Sequence, residues 1–287
     1  MNYVNADTLR QASELLIQEA GTTRILAGGT DVLVQNRLGL VEPELVINIK
    51  FIEGMRTIEK EDGGYRIGAA VSGAELGENL GVRALWPGLV EGMGFIGSTQ
   101  IQGRATLVGN LCNASPAADG VPALVTANAT ARVFGPSGFR ECRVLDIPVA
   151  PGLTSLKKGE FITSLYLPAR PQLAADAYLR FTPRTEMDIA VTSAAVSIAL
   201  GAGGTIRDAQ VALGAVAPTV LDLPSAASGL VGSKLDAATL DDLKNAASSA
   251  CRPIDDKRGT AAFRTKTAGV LAQRAAKIAY QRAHEKL

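Results

Sequence analysis

Ile25-Leu26-Ala27-Gly28-Gly29-Thr30-Asp31 is the stretch of this sequence that says most about the fold. It joins a strand predicted at residues 23–27 to a helical pattern at residues 32–38. Two glycines between a strand and a helix leave backbone N–H groups free, and a Cβ there would block the close approach of a phosphate. Thr30 adds a hydroxyl donor, whereas Asp31 is expected to cap the helix. The stretch predicts a pyrophosphate-binding turn, with a purely structural turn as the alternative.

A second candidate site lies in a long glycine-rich stretch at residues 92–120, which is predicted to be an irregular loop. Loops of this length are uncommon in compact domains unless they bind a ligand. Asp119 offers an acceptor for the hydroxyls of a ribityl chain or ribose, and Gly103 and Gly109 are expected to permit a tight backbone path. Donors for phosphate or ring-carbonyl oxygens are supplied by Thr106, Asn110, Asn113 and Ser115. A structural loop that covers a sheet edge is the alternative.

Composition narrows the function classes. The 287 residues include 29 Lys and Arg against 28 Asp and Glu, a net charge of +1, and 47% are hydrophobic. This balance is typical of globular proteins and gives no uniform field for nucleic acid or an anionic membrane. The longest apolar runs fall short of the ~20 residues of a membrane helix, and the N-terminal residues lack a signal-peptide pattern. We therefore expect a cytoplasmic protein of two domains, with no transmembrane segment and no nucleic-acid partner.

Few side chains are equipped for chemistry by themselves. Cys112, Cys142 and Cys251 are far apart and form no CxxC pair, so the chain is not expected to ligate zinc or an iron–sulfur cluster. His284 is the only histidine and is expected to be a solvated tail residue, which argues against a Ser–His–Asp triad. No catalytic residue and no metal ligand is therefore assigned, and any chemistry is expected to need an organic cofactor.

Periodicity and turn signals divide the rest of the chain into two halves. A first helix is expected to be capped by Thr8 and Gln11 and to end at Gly21. Further elements of the first half are predicted at residues 45–49, 65–70, 131–134 and 161–167 (strands) and 74–80 (helix). After a proline-bearing linker at 168–175, the second half has strands predicted at 178–182, 193–199 and 209–215 and helices at 237–249 and 265–283. This order indicates an α+β fold whose second half is an antiparallel sheet with helices on one face.

Two further stretches look functional but have structural interpretations. Gly201-Ala202-Gly203-Gly204-Thr205-Ile206 looks like the start of a dinucleotide-binding motif. A strand rather than a helix follows it, so a hairpin turn is predicted. In residues 184–190, Met187 and Ile189 could present apolar surface to a ring, while Asp188 turns the loop. A buried salt bridge is the favoured interpretation of that loop.

The two glycine-rich motifs, taken as a pair, resemble the FAD signatures of the molybdenum hydroxylase flavoproteins. These are the medium subunits of carbon monoxide dehydrogenase-type enzymes and the central flavin domain of xanthine dehydrogenase. Residues 27–31 resemble the first signature, and residues 106–111 with 115–119 the second. The likeness continues through residues 68–71, 165–168, 184–190 and 258–264, so it covers essentially the whole chain.

The resemblance implies a two-lobed FAD-binding domain of the vanillyl-alcohol-oxidase (PCMH) type at residues 1–171, with lobes of about 1–55 and 56–171. A C-terminal domain like that of the CO dehydrogenase flavoproteins would occupy residues 176–287. The first motif would bind the FAD phosphates, and Ile162 would lie against the flavin ring. Carried over by position, the cofactor-binding residues would be Leu26, Ala27, Gly28, Gly29, Thr30, Asp31, Ile96, Ala105, Thr106, Gly109, Asn110, Asn113, Asp119 and Ile162.

The resemblance also implies an activity. The chain would be an oxidoreductase subunit that passes electrons through FAD to an external acceptor, with two [2Fe–2S] clusters on a small partner and the molybdenum cofactor on a large one. The assembly would be a heterotrimer or a dimer of heterotrimers. A stand-alone FAD-dependent oxidoreductase of the same fold is the alternative. The sequence specifies neither the substrate nor the acceptor.

Two positions depart from the pattern of the family. Where xanthine dehydrogenase-like members place an aromatic residue over the ring, this chain has Ile96, with Phe95 beside it. A lysine that some relatives carry after the Asp-Ile-Ala triplet is replaced by Val191. Both departures weigh against NAD as the acceptor and leave a quinone, a cytochrome-like protein or another carrier as alternatives.

Overall fold

The computed structural model describes residues 1–18, 22–184 and 187–287. Two lobes, each built on its own sheet, are followed by an antiparallel sheet with helices, which confirms the predicted α+β fold. Gly21, the expected end of the first helix, lies outside the described residues, as do Thr185 and Glu186 of the 184–190 loop.

A three-stranded parallel sheet forms the first lobe, with the strand order β1-β3-β2. Its central strand β3 is buried along its whole length, and its one polar residue, Asn48, donates to Asn5 Oδ1 at 2.7 Å. Strand β1 was not predicted because it is short, polar at both ends and mostly exposed. The elements are β1 (Asn2–Asn5), α1 (Leu9–Gln18), β2 (Thr23–Leu26), α2 (Val32–Arg37) and β3 (Leu45–Asn48).

The cap predicted for α1 is present in a shifted form. Thr8 Oγ1 accepts from the backbone N–H of Gln11 at 3.1 Å, as expected. The Gln11 side chain, however, accepts from the N–H of Asp7 at 2.8 Å rather than from that of Thr8. Two N-terminal donors are still satisfied, so the sequence signal gave the helix start correctly.

A five-stranded antiparallel sheet of order β4-β5-β10-β6-β7 forms the second lobe. The late strand β10 lies at its centre, between two hairpins that are each local in sequence. The elements are β4 (Ile58–Glu61), β5 (Gly64–Gly68), α3 (Gly73–Glu78), α4 (Leu80–Leu85), α5 (Pro87–Gly94), α6 (Thr99–Gln102), α7 (Leu107–Cys112), α8 (Gly120–Thr126), β6 (Thr130–Gly135), β7 (Gly138–Arg143), a 3₁₀ turn (Val144–Asp146), β8 (Pro148–Ala150), β9 (Leu153–Thr154) and β10 (Phe161–Leu167).

The prediction of one irregular loop at residues 92–120 was wrong, because α6 and α7 lie inside it. Both helices are shorter than two turns, so they show no hydrophobic period. What holds α7 is burial of Leu107, Val108 and Leu111, together with an N-cap at Thr106, whose Oγ1 accepts from the N–H of Gly109 at 2.9 Å. The segment is therefore an ordered wall of the second lobe.

The C-terminal half contains the sheet β11-β12-β13-β14 and two long helices. Strand β11 begins at Ala174, four residues before the predicted strand, so the end of the expected linker is part of the sheet. The six-residue glycine stretch at 201–206 turns between β12 and β13, as predicted. The elements are β11 (Ala174–Phe181), β12 (Thr192–Leu200), β13 (Ile206–Gly214), β14 (Leu221–Asp222), α9 (Pro224–Ser228), α10 (Ala237–Ala250) and α11 (Ala261–His284).

This C-terminal sheet is covered on both faces, which the sequence did not predict. Alternate residues point to opposite sides of a strand. Ala194 and Val196 pack in one core with α10 and α11, while Tyr178 and Ala195 belong to the core of the second lobe. Burial on both faces accounts for the small and apolar residues that make up most of β12. The sheet is thus shared between the two halves of the chain.

Within the part of the chain that the structure describes, no helix combines the length and the apolar character needed to cross a membrane.

Candidate functional site

The two lobes meet at a cleft of about 670 Å³, within the usual range for small-molecule sites. It brings together twelve of the fourteen residues that the sequence nominated. Ten of them lie in two segments of the chain, which we call the first loop (residues 27–31) and the second segment (residues 104–119). The other two are Ile96, which follows α5, and Ile162 on β10. The twelve are Ala27, Gly28, Gly29, Thr30, Asp31, Ile96, Ala105, Thr106, Gly109, Asn110, Asn113 and Ile162.

The first loop presents backbone donors to this cleft. Gly29 has φ +79°, a conformation that glycine adopts without steric cost. Within the described residues, the backbone N–H groups of Gly28, Gly29 and Thr30 have no hydrogen-bond partner in the protein. Because several such donors in a row form an anion-binding concavity, the loop suits a phosphate.

Asp31 was expected to cap the helix that follows the first loop, and this prediction was wrong for its side chain. It occupies the N-cap position of α2, but its side chain makes no capping hydrogen bond. Its carboxyl group lines the cleft, and desolvation there raises its pKa above the usual value. The residue therefore places a carboxyl group, with a weakened tendency to ionise, beside the donors of the first loop.

Two asparagines of the second segment are held with their amide nitrogens free. Asn110 Oδ1 accepts from the N–H of Gly120 at 3.0 Å, and Asn113 Oδ1 accepts from Gln35 Nε2 at 3.0 Å. Each amide NH₂ group remains as a donor at the cleft, which suits phosphate or carbonyl oxygens. Neither Gly103 nor Gly109 has a positive φ; in this stretch the backbone turns with positive φ at Gly97 and Ala114.

Cations behind the first loop favour an anionic ligand, and sequence reasoning missed them. Lys50 Nζ donates to the carbonyl oxygen of Ala27 at 3.1 Å. Burial lowers the pKa of Lys50, and the nearby Arg104 and Arg56 lower it further. Arg56 is paired with Glu75, which leaves Lys50 and Arg104 as the cations near the loop whose charge favours an anionic ligand.

Apolar side chains form the other walls of the cleft. Ile96 and Ile162 both line it, and the neighbouring Phe161 does so as well. The β10–β6 register shifts directly after Phe161 and Ile162, between Ile162 and Ser164, so β10 is irregular beside the cleft. Phe95 packs near Tyr178, with ring centroids 6.1 Å apart.

Two nominated residues lie outside the cleft lining, Leu26 and Asp119. Leu26 is buried, and a Cβ at Gly29 would lie 2.7 Å from its Cδ1. Asp119 accepts from Tyr178 Oη at 2.6 Å and from Arg180 Nη1 at 2.8 Å, so both of its oxygens bind the C-terminal half. Burial raises the pKa of Asp119 to about 6, against the opposing effect of Arg180. Its place in the structure is the junction between the two halves.

The other residues that the sequence singled out, in the 184–190 loop and at positions 191 and 112, are explained by ion pairing or burial. Asp188 forms ion pairs with Arg184 and Arg258, each at 3.5 Å, as the salt-bridge interpretation expected, while Met187 and Ile189 are exposed. Val191 is fully buried, so its position offers no cation. Cys112 lines the cleft, but burial raises its pKa to about 12, so its thiol stays protonated near neutral pH.

The β8–β9 hairpin also contributes to the cleft, and nothing in the sequence pointed to it. Gly152, Leu153 and Thr154 line the cleft, and the Gly152 N–H donates to the carbonyl oxygen of Ala114 at 3.1 Å. This bond joins the hairpin to the second segment. A two-residue strand carries too little pattern for recognition in the sequence.

Glu160, at the edge of the cleft, gives a prediction for pH dependence. Arg140 binds it with two hydrogen bonds of 2.8 and 2.7 Å and lowers its pKa from 4.5 to about 2. Because the folded-state pKa is lowered, the stabilisation is present above the unfolded pKa and is lost as pH falls through the folded one. Glu160→Gln is expected to reduce the free energy of unfolding by about 1–2 kcal/mol near neutral pH.

Denaturant titration of both proteins checks this, and the difference should shrink as pH falls from 4.5 toward about 2. The exposed Glu59→Gln on β4 is the control and should change stability little at any pH. A Glu160→Gln effect that is independent of pH would show that packing, and not the ion pair, is responsible.

Comparison with known proteins gives consistent matches along the chain. Residues 1–170 match the FAD binding domain in molybdopterin dehydrogenase, and residues 177–279 match the CO dehydrogenase flavoprotein C-terminal domain. The carbon monoxide dehydrogenase medium chain of Afipia carboxidovorans is 31% identical over 283 residues, covering 98% of this chain and 97% of the relative. The glyceraldehyde dehydrogenase medium chain of Sulfolobus acidocaldarius is 29% identical over 280 residues, covering 96% and 97%.

A comparison with solved structures gives a match to the same kind of protein. A chain of the reconstituted CO dehydrogenase from Oligotropha carboxidovorans superposes with a TM-score of 0.94 at 29% identity, covering 98% of both chains. The match extends over both halves of the molecule, so it includes the cleft and the shared sheet.

Proposed function

The chain belongs to the FAD-binding flavoprotein family of the molybdopterin dehydrogenases, and from this premise we propose that it carries electrons from a partner's iron–sulfur clusters to an external acceptor. It is an FAD-binding oxidoreductase subunit of the molybdenum hydroxylase type. The proposal adds the direction of electron flow and two partner subunits, a small one with two [2Fe–2S] clusters and a large one with the molybdenum cofactor. Two similar proteins, of glyceraldehyde dehydrogenase and of carbon monoxide dehydrogenase, are medium chains, which supports such an assembly.

The observation that carries the proposal is the pairing of the first loop and the second segment across one cleft. The free N–H groups of Gly28, Gly29 and Thr30 fit a pyrophosphate, and the positive potential from Lys50 supports the same ligand. Apolar walls at Ile96 and Ile162 fit a ring system. The residues present therefore suit FAD.

In this arrangement the protein binds and orients the cofactor. Bound FAD supplies reversible storage of two electrons, and that chemistry belongs to the cofactor. The first loop would fix the phosphates, the amide N–H groups of Asn110 and Asn113 would donate to the cofactor, and the apolar walls would exclude water from the ring. We assign no general acid or base to the chain, since oxidation of the substrate is proposed to occur on a partner.

Two measurements test the proposal. The purified chain is expected to show the visible bands of an oxidised flavin and to release about one FAD per chain. Isolated from its native source, it should come with two other polypeptides, one of which carries iron–sulfur clusters. A colourless protein that refuses added FAD would contradict the cofactor assignment. A fully active single chain would support the stand-alone oxidoreductase instead.

A further inference from the structure

One side-chain hydrogen bond spans the cleft from lobe to lobe. Gln35 Nε2 donates to Asn113 Oδ1 at 3.0 Å, although the two residues are 78 positions apart. Gln35 lies on α2 in the first lobe, Asn113 follows α7 in the second, and both line the cleft. The bond is partly buried, so water competes with it less than at an exposed site.

Helix α2 has little else to hold it over the cleft. None of its residues is buried, and its aliphatic side chains Leu33 and Val34 are 46% and 53% exposed. A helix of six residues without a buried face is not stable by itself, because most helical stability comes from packing. Within the described residues, the bond from Gln35 to Asn113 is the side-chain hydrogen bond that ties α2 to the second lobe.

The same bond decides which end of the Asn113 amide faces the cleft. With Oδ1 occupied by the Gln35 donor, the Nδ2 hydrogens of Asn113 are available to a ligand. Asn110 is oriented in the same way, but by a backbone N–H, that of Gly120. Asn113 differs because its orienting group is a side chain from the opposite lobe.

We infer that Gln35 is a positioning residue. Its hydrogen bond holds α2 against the second lobe and orients the amide N–H of Asn113 toward the cofactor. The inference rests on the proposed function, since FAD is the ligand whose retention would depend on it. Gln35 itself contributes through Asn113, and its loss should speed dissociation of the cofactor without unfolding the chain.

The test is the dissociation constant and dissociation rate of FAD in Gln35→Leu, compared with the unaltered protein. Loss of one neutral hydrogen bond corresponds to about fivefold weaker binding. Gln35→Glu should bind FAD more weakly still. A carboxylate can only accept, so it would turn the Asn113 amide over and present an oxygen to the anionic cofactor.

A double-mutant cycle separates positioning from general damage. In an Asn113→Ala background, Gln35→Leu should have no further effect on FAD binding, because the group it orients is gone. Asn36→Leu, on the same helix but outside the cleft lining, is the matched control and should bind FAD as the unaltered chain does. The melting temperature of the FAD-free protein should be nearly equal in all variants.

The outcomes are distinguishable. If the unaltered chain binds FAD and Gln35→Leu binds it equally well, the inference about Gln35 is wrong and the proposed function stands. An equal loss from Gln35→Leu in both backgrounds would also overturn the inference. If the unaltered chain binds no FAD, the proposed function itself fails.

Discussion

Replacing Gly28 with alanine is expected to remove most of the bound FAD and to destabilise the contact between the lobes. A Cβ at this position would lie 2.1 Å from the carbonyl oxygen of Arg104 and 3.1 Å from the Cα of Ala105. Both are backbone atoms, so no side-chain rotation relieves the clash. The first loop and the second segment would have to move apart, which costs about 1–3 kcal/mol by analogy with overpacked cores. Since both segments line the cleft, FAD content should fall at least tenfold, an order-of-magnitude expectation for a displaced binding loop.

This mechanism differs from the one that the glycine motif suggested. The motif predicts that a side chain would block the approach of the cofactor, whereas the structure aims the Cβ at the opposite lobe. Gly109→Ala should be milder, because its Cβ would meet only Thr106 Oγ1 at 3.0 Å.

The flavin absorbance per chain and a thermal melt measure the Gly28→Ala effect. Gly103→Ala is a suitable control, because it adjoins Arg104 and its Cβ would come no closer than 3.5 Å to another heavy atom. Full flavin content and an unchanged melt in Gly28→Ala would show that the two backbones are not in contact as described.

Arg180→Met is expected to destabilise the chain more than any surface substitution. Arg180 and Asp119 are 5% and 9% exposed in their side chains, and their charged atoms are 2.8 Å apart. Removing the guanidinium leaves a buried carboxylate with Tyr178 as its one remaining donor within the described residues. Breaking a buried pair from one side costs about 3–5 kcal/mol, because the remaining charge is uncompensated. The two halves of the chain should separate more easily as a result.

Equilibrium unfolding in denaturant tests this, with Arg143→Met as the control. Arg143 also pairs with an aspartate at 2.8 Å, but its side chain is 69% exposed, so its loss should cost at most about 1 kcal/mol. Adding Asp119→Asn to Arg180→Met should recover part of the loss, since the unpaired charge is removed. Equal effects of the two arginine substitutions would contradict the burial argument.

Local signals in the sequence predicted much of the fold. The strand-to-helix turn at Gly28 and Gly29, the C-terminal strands and the hairpin at residues 201–206 each follow from glycine placement or apolar runs. They were recoverable because the decisive information lies within a few neighbouring residues. The family resemblance then supplied the two-lobed arrangement, which periodicity alone did not give.

What escaped prediction depends on distant partners. Strands β4 and β7 carry charged residues and are stabilised by pairing with neighbours, so their sequences do not stand out. Asp119 lies in a glycine-rich stretch that is typical of a ligand-binding loop. Its oxygens nevertheless accept hydrogen bonds from Tyr178 and Arg180, about sixty positions later in the chain. No local sequence pattern predicts a contact between residues that are about sixty positions apart.

The central position of β10 bears on the order of events during synthesis. Its partners β5 and β6 belong to two local hairpins, and Leu167 pairs with Tyr65 across the intervening chain. A nascent chain that has not yet emerged through β10 holds two hairpins with open edges, which invite pairing with other chains. Phe161 and Ile162 of the same strand line the cleft. We therefore expect FAD to be loaded only after β10 has emerged from the ribosome, because until then the cleft lacks two of its lining residues.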